Sequence, residues 1–174
     1  MKRVLVKSVH GAFGYVMEHY YPFGMADEAA EQGALTDTYV VISIQDSHTN
    51  GFGMQFTENQ FCKGVLTLLF DDIVKEVDGA VLFDDEMADK IIDFIAEKKR
   101  VADTLLVHCY AGQSRSRAVG AFAVEMLGGD NSRYFEEGTP NQYVYDVLET
   151  AWIRRQLYDI FRIFRRIVPH GAIW

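Results

Sequence analysis

Cysteine, proline and long apolar runs are all scarce in this sequence of 174 residues. It has two cysteines, Cys62 and Cys109, and three prolines. Two cysteines are too few for a disulfide scaffold, and free thiols persist in reducing compartments, so we expect a cytoplasmic protein. No apolar run approaches the roughly 18 residues that a membrane-spanning helix requires, and Lys7 breaks the apolar start of the chain, which is unlike a signal peptide. We therefore expect a soluble protein without a membrane partner.

Positive charge is scarce as well. The sequence has 17 Lys and Arg against 25 Asp and Glu, which gives a formal net charge of -8. This balance argues against a broad surface for nucleic acid, so any anionic ligand has to find a local positive site. With 49% hydrophobic residues the chain can bury one sizeable core, and it has no repeat, low-complexity segment or linker. We expect a single domain over residues 1–174.

Short apolar runs alternate with helical patterns along the first two thirds of the chain. Helices are predicted at 26–32 and at 85–98, and the second of these has one apolar face. The alternation indicates an α/β fold, with a central, mostly parallel sheet of about four or five strands flanked by helices. The predicted strands are VLVKSV at 4–9, TYVVISI at 38–44, GVLTLLF at 64–70 and TLLVHC at 104–109.

The last third of the chain is predicted to be helical. Helices are expected at 116–127, from 141 to about 152, and in a final run to 168. In that final run the apolar residues fall on one stripe and the arginines lie off it, so we expect the stripe to pack on the core and the arginines to face solvent. The stripe is Ile153, Leu157, Ile160, Phe161, Phe164 and Ile167, and the arginines are Arg154, Arg155, Arg162, Arg165 and Arg166.

The stretch TLLVHCYAGQSRSRAVGAF, residues 104–122, places Cys109 where a predicted strand ends and a loop runs directly into a helix. In open α/β sheets, ligands bind at the carboxyl ends of the strands. The loop 110–115, here called the cradle, can turn its N–H groups inward, and the helix that follows adds the positive end of its dipole. Gly112 allows close approach, and the planar fork of Arg115 matches two phosphate oxygens. The same positive field should favour the thiolate of Cys109 over the thiol, which makes it a nucleophile.

These residues carry a family resemblance. HCYAGQSRS resembles the HCxxGxxRS signature of cysteine-dependent protein phosphatases, and the wording VHCxAGxSRS is most similar to dual-specificity phosphatases. The order of VISI, LLFDDI, the FDDE helix, the Cys109 stretch and PNQYVYDVL, within residues 40–148, resembles small bacterial predicted tyrosine phosphatases.

The resemblance implies a dual-specificity phosphatase-like fold and a phosphomonoester hydrolase that works through a phosphocysteine without a metal or cofactor. Cys109 would be the nucleophile, Arg115 would hold the equatorial phosphate oxygens, and Ser116 would hydrogen-bond the sulfur and help it leave. The substrate would be phosphotyrosine or a related phosphorylated protein. The residues that would line the phosphate site are Tyr110, Ala111, Gly112, Gln113, Ser114 and Arg115.

The same resemblance implies an upstream aspartate that protonates the leaving oxygen. In compact dual-specificity enzymes this acid follows a strand and lies about thirty residues before the cysteine, a spacing that favours Asp78. We expect Asp72 instead, because it stands at the end of an apolar strand that points to the same edge as Cys109, with Asp71 as the next choice. Asp84 and Asp85 are typical of a helix N-terminus. The four candidates Asp71, Asp72, Asp78 and Asp85 lie 38, 37, 31 and 24 residues before Cys109.

Several alternatives stay open at this point. The substrate could be a small metabolite or a nucleotide, because each presents the same phosphate dianion. A non-catalytic phosphate-binding module would use the same cradle, although such proteins usually lose the Cys or the Arg. A rhodanese-type sulfurtransferase lacks the AGxSRS continuation, and a low-molecular-weight tyrosine phosphatase opens with its cysteine loop. The sequence does not indicate an oligomeric state.

Overall fold

A parallel sheet of four strands forms the centre of the protein. The computed structural model describes residues 1–21, 37–49 and 52–167. The strand order is β1-β4-β2-β3, and every neighbouring pair is parallel. β2 and β4 are buried at every position, which agrees with their largely apolar sequences and confirms a parallel α/β sheet. The strands are β1 (Arg3–Ser8), β2 (Tyr39–Gln45), β3 (Cys62–Leu69) and β4 (Thr104–Cys109).

Five helices in the described part of the chain cover the two faces of this sheet. α1 packs with Tyr39, Val41 and Leu106 on one face. α2, α3 and α5 share the larger core on the other face with Ile42 and Leu105. None of the described helices is both long and apolar enough to cross a membrane. The helices are α1 (Val9–Tyr20), α2 (Asp85–Lys98), α3 (Arg115–Met126), α4 (Ser132–Glu136) and α5 (Gln142–Ile167).

The amino-terminal helix α1 is a feature that the sequence patterns did not predict. β1 ends one residue earlier than expected, because the Ser8 side chain accepts a hydrogen bond from Gly11 N at 3.1 Å and caps the helix. Val9, which we assigned to the strand, is the first buried residue of α1. The helix predicted at 26–32 lies outside the described residues, whereas the helix predicted at 85–98 is confirmed as α2.

The prediction for the last helix was wrong in two ways. The runs at 141–152 and to 168 form one continuous helix, α5, because no glycine or proline interrupts them. Its first half packs on the core through Val144, Leu148 and Ala151. The described members of the apolar stripe do not pack there: Ile153, Leu157, Ile160 and Phe161 are between 47% and 66% exposed.

Close packing of α3 on β1 depends on Gly120. A Cβ at this position would lie 2.3 Å from Val6 Cγ2 and 3.2 Å from Tyr134 Cε1. The valine cannot move aside easily, because its branched side chain has one preferred rotamer. The helix therefore needs a glycine here in order to reach the sheet.

We predict that Gly120→Ala lowers the free energy of unfolding by about 1–2 kcal/mol, since the overpacking cost exceeds the gain in helix propensity. Urea denaturation at 25 °C measures this change. Gly14→Ala in α1 is the matched control, because a Cβ there meets nothing within 4 Å and alanine should stabilise the helix by about 0.5–1 kcal/mol. Equal effects of the two substitutions would show that α3 can shift away from β1.

Candidate active site

The candidate site lies where three parallel strands end at one edge of the sheet. Cys109 is the last residue of β4, and the cradle runs from it into α3. Asp46 follows β2, and Asp71 and Asp72 follow β3 by two and three residues. Because β2, β3 and β4 are parallel, their carboxyl ends meet there, and all three loops contribute side chains to one place.

The Cys109 thiol is enclosed by polar groups of the cradle and of α3. Its Sγ lies 3.1 Å from Ser116 Oγ and accepts a hydrogen bond from Gly112 N at 3.2 Å. The residue is 2% exposed, so the sulfur is almost completely covered by the surrounding protein. A sulfur with two such neighbours is held in one position at the base of the loop.

Gly112 fixes the cradle against the end of β1. Its φ is +74°, a conformation that side chains rarely adopt, and a Cβ would lie 2.4 Å from Ser8 N. Tyr110 O also accepts a hydrogen bond from Val9 N at 3.2 Å. The start of α1 therefore holds the cradle from the side opposite the loops of β2 and β3.

The cradle presents free N–H groups and an open helix end. Among the described residues, no hydrogen bond has the N–H of Ala111, Gln113 or Ser114 as its donor. Ser114 is the N-cap of α3, yet its side chain does not cap the helix. Unsatisfied N–H groups at a helix N-terminus attract anions.

Arg115 is buried at this edge, where it contacts the residues that follow β2 and β3. Its Nη2 lies 2.6 Å from Asp46 Oδ1, and its Nη1 donates to Phe70 O at 2.6 Å. The side chain is 6% exposed. Its Nε is buried and has no partner among the described residues, so the Nε donor of the guanidinium is not used by the fold.

Asp72 reaches the cradle, as its place at the strand end predicts. Asp72 Oδ1 accepts hydrogen bonds from Ser114 Oγ and from Asn141 Nδ2, each at 2.8 Å. Asn141 also donates to Ile73 O at 3.3 Å, and its Oδ1 accepts from Val144 N in the first turn of α5. Both of these donors use Oδ1, and no described residue donates a hydrogen bond to Oδ2.

The other candidate carboxylates lie elsewhere. Asp71 accepts hydrogen bonds from Val81 N and from the backbone and side chain of Ser47, and these outweigh the opposing effect of burial, so its pKa is lowered. It joins two loops and does not reach Cys109. Asp78 is exposed, and Asp85 pairs with Arg154. Asp84, at the N-cap of α2, accepts from Met87 N as expected.

Asp46 and Asn141 are the site residues that sequence reasoning missed. The strand-end argument that selected Asp72 applies equally to Asp46, which follows β2 directly, so the signal was present in the sequence. Asn141 could be expected to reach the site, but we did not include it because amide residues at helical spacing usually only pack. No group of three or more His, Cys, Asp or Glu in the described ranges is placed to hold a metal ion.

His108, next to Cys109 in sequence, is fully buried on the opposite face of β4. Its ring lies 5.4 Å from that of Phe56, and neither ring nitrogen has a partner among the described residues. Burial lowers its pKa to about 4, against a smaller opposing effect of the Cys109 backbone. In the unfolded chain the pKa of a histidine is about 6.5. Between about pH 6.5 and pH 4 the unfolded chain therefore binds a proton that folded His108 does not bind, so acidification through this range destabilises the fold.

We predict that acidification from pH 7 to 4.5 costs the wild type roughly 2–3 kcal/mol more stability than His108→Asn, because only the wild type must keep a buried imidazole neutral. Urea denaturation across this range measures the difference in slope. The exposed His10→Gln variant is the control and should follow the wild type. Parallel curves for wild type and His108→Asn would contradict the assignment.

Comparison with solved structures identifies the fold of this chain. No protein-family model matches the chain, and no curated protein matches it either. Among solved structures, human DUSP28 matches with a TM-score of 0.50 and 17% identity, over 89% of this chain and 94% of that chain. The human tyrosine phosphatase-like serine/threonine/tyrosine-interacting protein matches with a TM-score of 0.47 and 20% identity, over 82% and 89%. The match to DUSP28 shows that the chain has a fold like that of the dual-specificity phosphatases.

Proposed function

We propose that this protein hydrolyses phosphomonoesters through a phosphocysteine on Cys109. The observation that supports this most directly is that three kinds of group converge on one edge of the sheet. They are the Cys109 thiol, N–H groups at a helix N-terminus, and the buried guanidinium of Arg115. Within the described ranges these N–H groups and the guanidinium Nε have no hydrogen-bond partner. Each of these groups favours an oxyanion, and together they surround the place where a phosphoryl group would meet Cys109 Sγ.

In the first step the Cys109 thiolate attacks phosphorus, so that a P–S bond forms while the bond to the leaving oxygen breaks. The cradle N–H groups and Arg115 hold the three equatorial oxygens, where negative charge is spread in the transition state. Asp72 donates its proton to the leaving oxygen, which departs as an alcohol or phenol. Its contacts with Ser114 and Asn141 keep the carboxyl group beside the cradle.

In the second step water attacks the phosphocysteine. The Asp72 carboxylate, now ionised, takes a proton from the water as the P–O bond forms and the P–S bond breaks. The sulfur leaves as a thiolate, and the Ser116 hydroxyl, 3.1 Å away, stabilises it by a hydrogen bond. The proton that Asp72 takes from water regenerates its acid form. Inorganic phosphate is released, and the enzyme returns to its starting state.

The surroundings of the cradle favour an aryl phosphate on a protein. Tyr110 is 58% exposed at the rim, and its ring lies 5.3 Å from that of Phe52. Two aromatic rings beside the phosphate site provide a surface for the ring of a phosphotyrosine. The cradle side chains that face solvent are uncharged, namely Tyr110, Ala111 and Gln113, which gives no extra positive charge for a highly phosphorylated ligand. Phosphotyrosine is therefore the substrate class we propose.

We predict that Cys109→Ser lowers turnover of a phosphotyrosine peptide by at least about 1,000-fold, and Arg115→Lys by about 100-fold or more, since lysine lacks the planar fork. Phosphate release without added metal and with a chelator present measures this. Cys62→Ser and Arg117→Lys are matched controls, because neither side chain belongs to the cradle, and both should keep wild-type turnover.

Full activity in Cys109→Ser, or loss of wild-type activity with the chelator, would overturn the mechanism. A wild type that binds phosphopeptide but never releases phosphate would identify a non-catalytic module. Sulfur transfer from thiosulfate in place of phosphate release would identify a sulfurtransferase.

We predict that Asp72→Asn slows an alkyl phosphate far more than nitrophenyl phosphate, because only the poor leaving group needs a proton. Parallel assays of Asp71→Asn and Asp78→Asn on both substrates give the comparison. Asp71→Asn should harm both substrates alike through lost loop contacts with Ser47 and Val81, and Asp78→Asn should harm neither. If Asp78→Asn alone showed the dependence on leaving group, Asp72 would not be the acid.

A further inference from the structure

A band of polar side chains crosses the α1 face of the sheet near the carboxyl ends of the strands. His108 of β4 is the register partner of Ser43 of β2, and Ser43 is the register partner of Thr67 of β3. Two residues earlier in β2 and β4 the same face is apolar, where Val41 and Leu106 pack with α1. The apolar packing of α1 therefore ends before the strands do.

A cavity of about 320 Å³ lies over this band. Ser43 and Gln45 form its buried part, with exposures of 3% and 5%, and the half-buried Phe56 lines it as well. Its open side lies at the edge strand β3, where the lining residues Thr67 and Leu69 are exposed. Binding sites for small molecules commonly have volumes of about 300–1,000 Å³, so a small ligand fits here.

The fold does not satisfy all of the polar groups beside this cavity. Gln45 Nε2 donates to Ser43 Oγ at 3.2 Å, and no hydrogen bond between described residues uses Gln45 Oε1. The buried imidazole of His108, next to Ser43 across the sheet, has no partner at either nitrogen among the described residues. Buried polar groups without partners cost stability, whereas convergent polar groups in a cavity are typical of ligand sites.

We propose that this cavity binds a small, neutral molecule with a planar ring that carries a hydrogen-bond donor beside an acceptor, as a nucleobase does. The described side chains that line the cavity are uncharged, so an ion would lose its hydration there without gaining a counter-charge. A glutamine amide pairs with a donor and an acceptor on one edge of a base, and aromatic rings stack on base faces. Gln45 and Gln55 supply the amides, and Phe56 supplies the ring.

This cavity is separate from the phosphate site. Gln45 directly precedes Asp46, so the two sites share the end of β2. Gln45 nevertheless lies on the α1 face, two residues after Ser43 in the same strand, whereas Cys109 belongs to the core on the other face. Binding of a neutral molecule in the cavity therefore does not depend on the chemistry proposed for Cys109.

NMR titration of the full chain with adenosine, guanosine, cytidine and uridine tests the proposal. These nucleosides carry no phosphate for the cradle. At least one should bind with a Kd below about 1 mM, with the same affinity in an excess of inorganic phosphate and in Cys109→Ser. Gln45→Met keeps the side-chain volume but removes the amide, so it should weaken binding by about 10-fold or more. Gln60→Met is the matched control, because this exposed glutamine does not line the cavity, and it should bind like the wild type.

Gln55→Met provides a second variant that does not disturb the core, because Gln55 is exposed at the rim of the cavity. It should weaken binding by about 3-fold or more, while its melting temperature stays that of the wild type. The proposal would be overturned if none of the four nucleosides bound at concentrations up to about 10 mM. Binding that inorganic phosphate displaces, or that both cavity variants keep at full strength, would place the nucleoside elsewhere and would overturn it equally.

Discussion

A guanidinium group is costly to bury without a counter-charge, and the buried Arg115 side chain finds one in Asp46. This contact joins three elements of the fold. Arg115 is the first residue of α3, and Asp46 directly follows β2. Phe70, whose carbonyl oxygen accepts a second hydrogen bond from Arg115, directly follows β3. Three elements thus meet around one cation, which fixes their separations. The Nε of Arg115 has no partner in the described part of the chain, so this donor of the network is unsatisfied.

The remaining contacts of the cradle combine a structural and a chemical role in the same atoms. Gly112 packs on the backbone of Ser8, and its N–H donates to the Cys109 sulfur. Ser114 leaves the end of α3 uncapped, and its hydroxyl donates to Asp72 instead. A helix end that gives up its own cap keeps its N–H groups available for an anion, at some cost in stability that the surrounding packing offsets.

The sequence predicted those parts of the structure that depend on residues close together in the chain. The buried strands, α2 with its Asp84 cap and the cysteine loop all follow from apolar runs, capping residues and fixed spacing. Asp72 was found because parallel strands end at one edge. α1 was missed because Val9, its first residue, continues the apolar pattern of the predicted strand, so the helix start at the Ser8 cap was not recognised. The orientation of α5 was missed because the core packs on Val144, Leu148 and Ala151 in its first half, which lie on a different face of this continuous helix from the apolar stripe.

The central claim, a phosphoryl group carried on the Cys109 sulfur, is tested most directly by trapping that intermediate. Wild-type protein is mixed with an aryl phosphate, quenched in acid within milliseconds and digested, and the peptides are examined by mass spectrometry. The account predicts a phosphate adduct on the peptide that contains Cys109, formed and lost at rates consistent with turnover. Turnover without any adduct at Cys109, or an adduct on a different side chain, would contradict it.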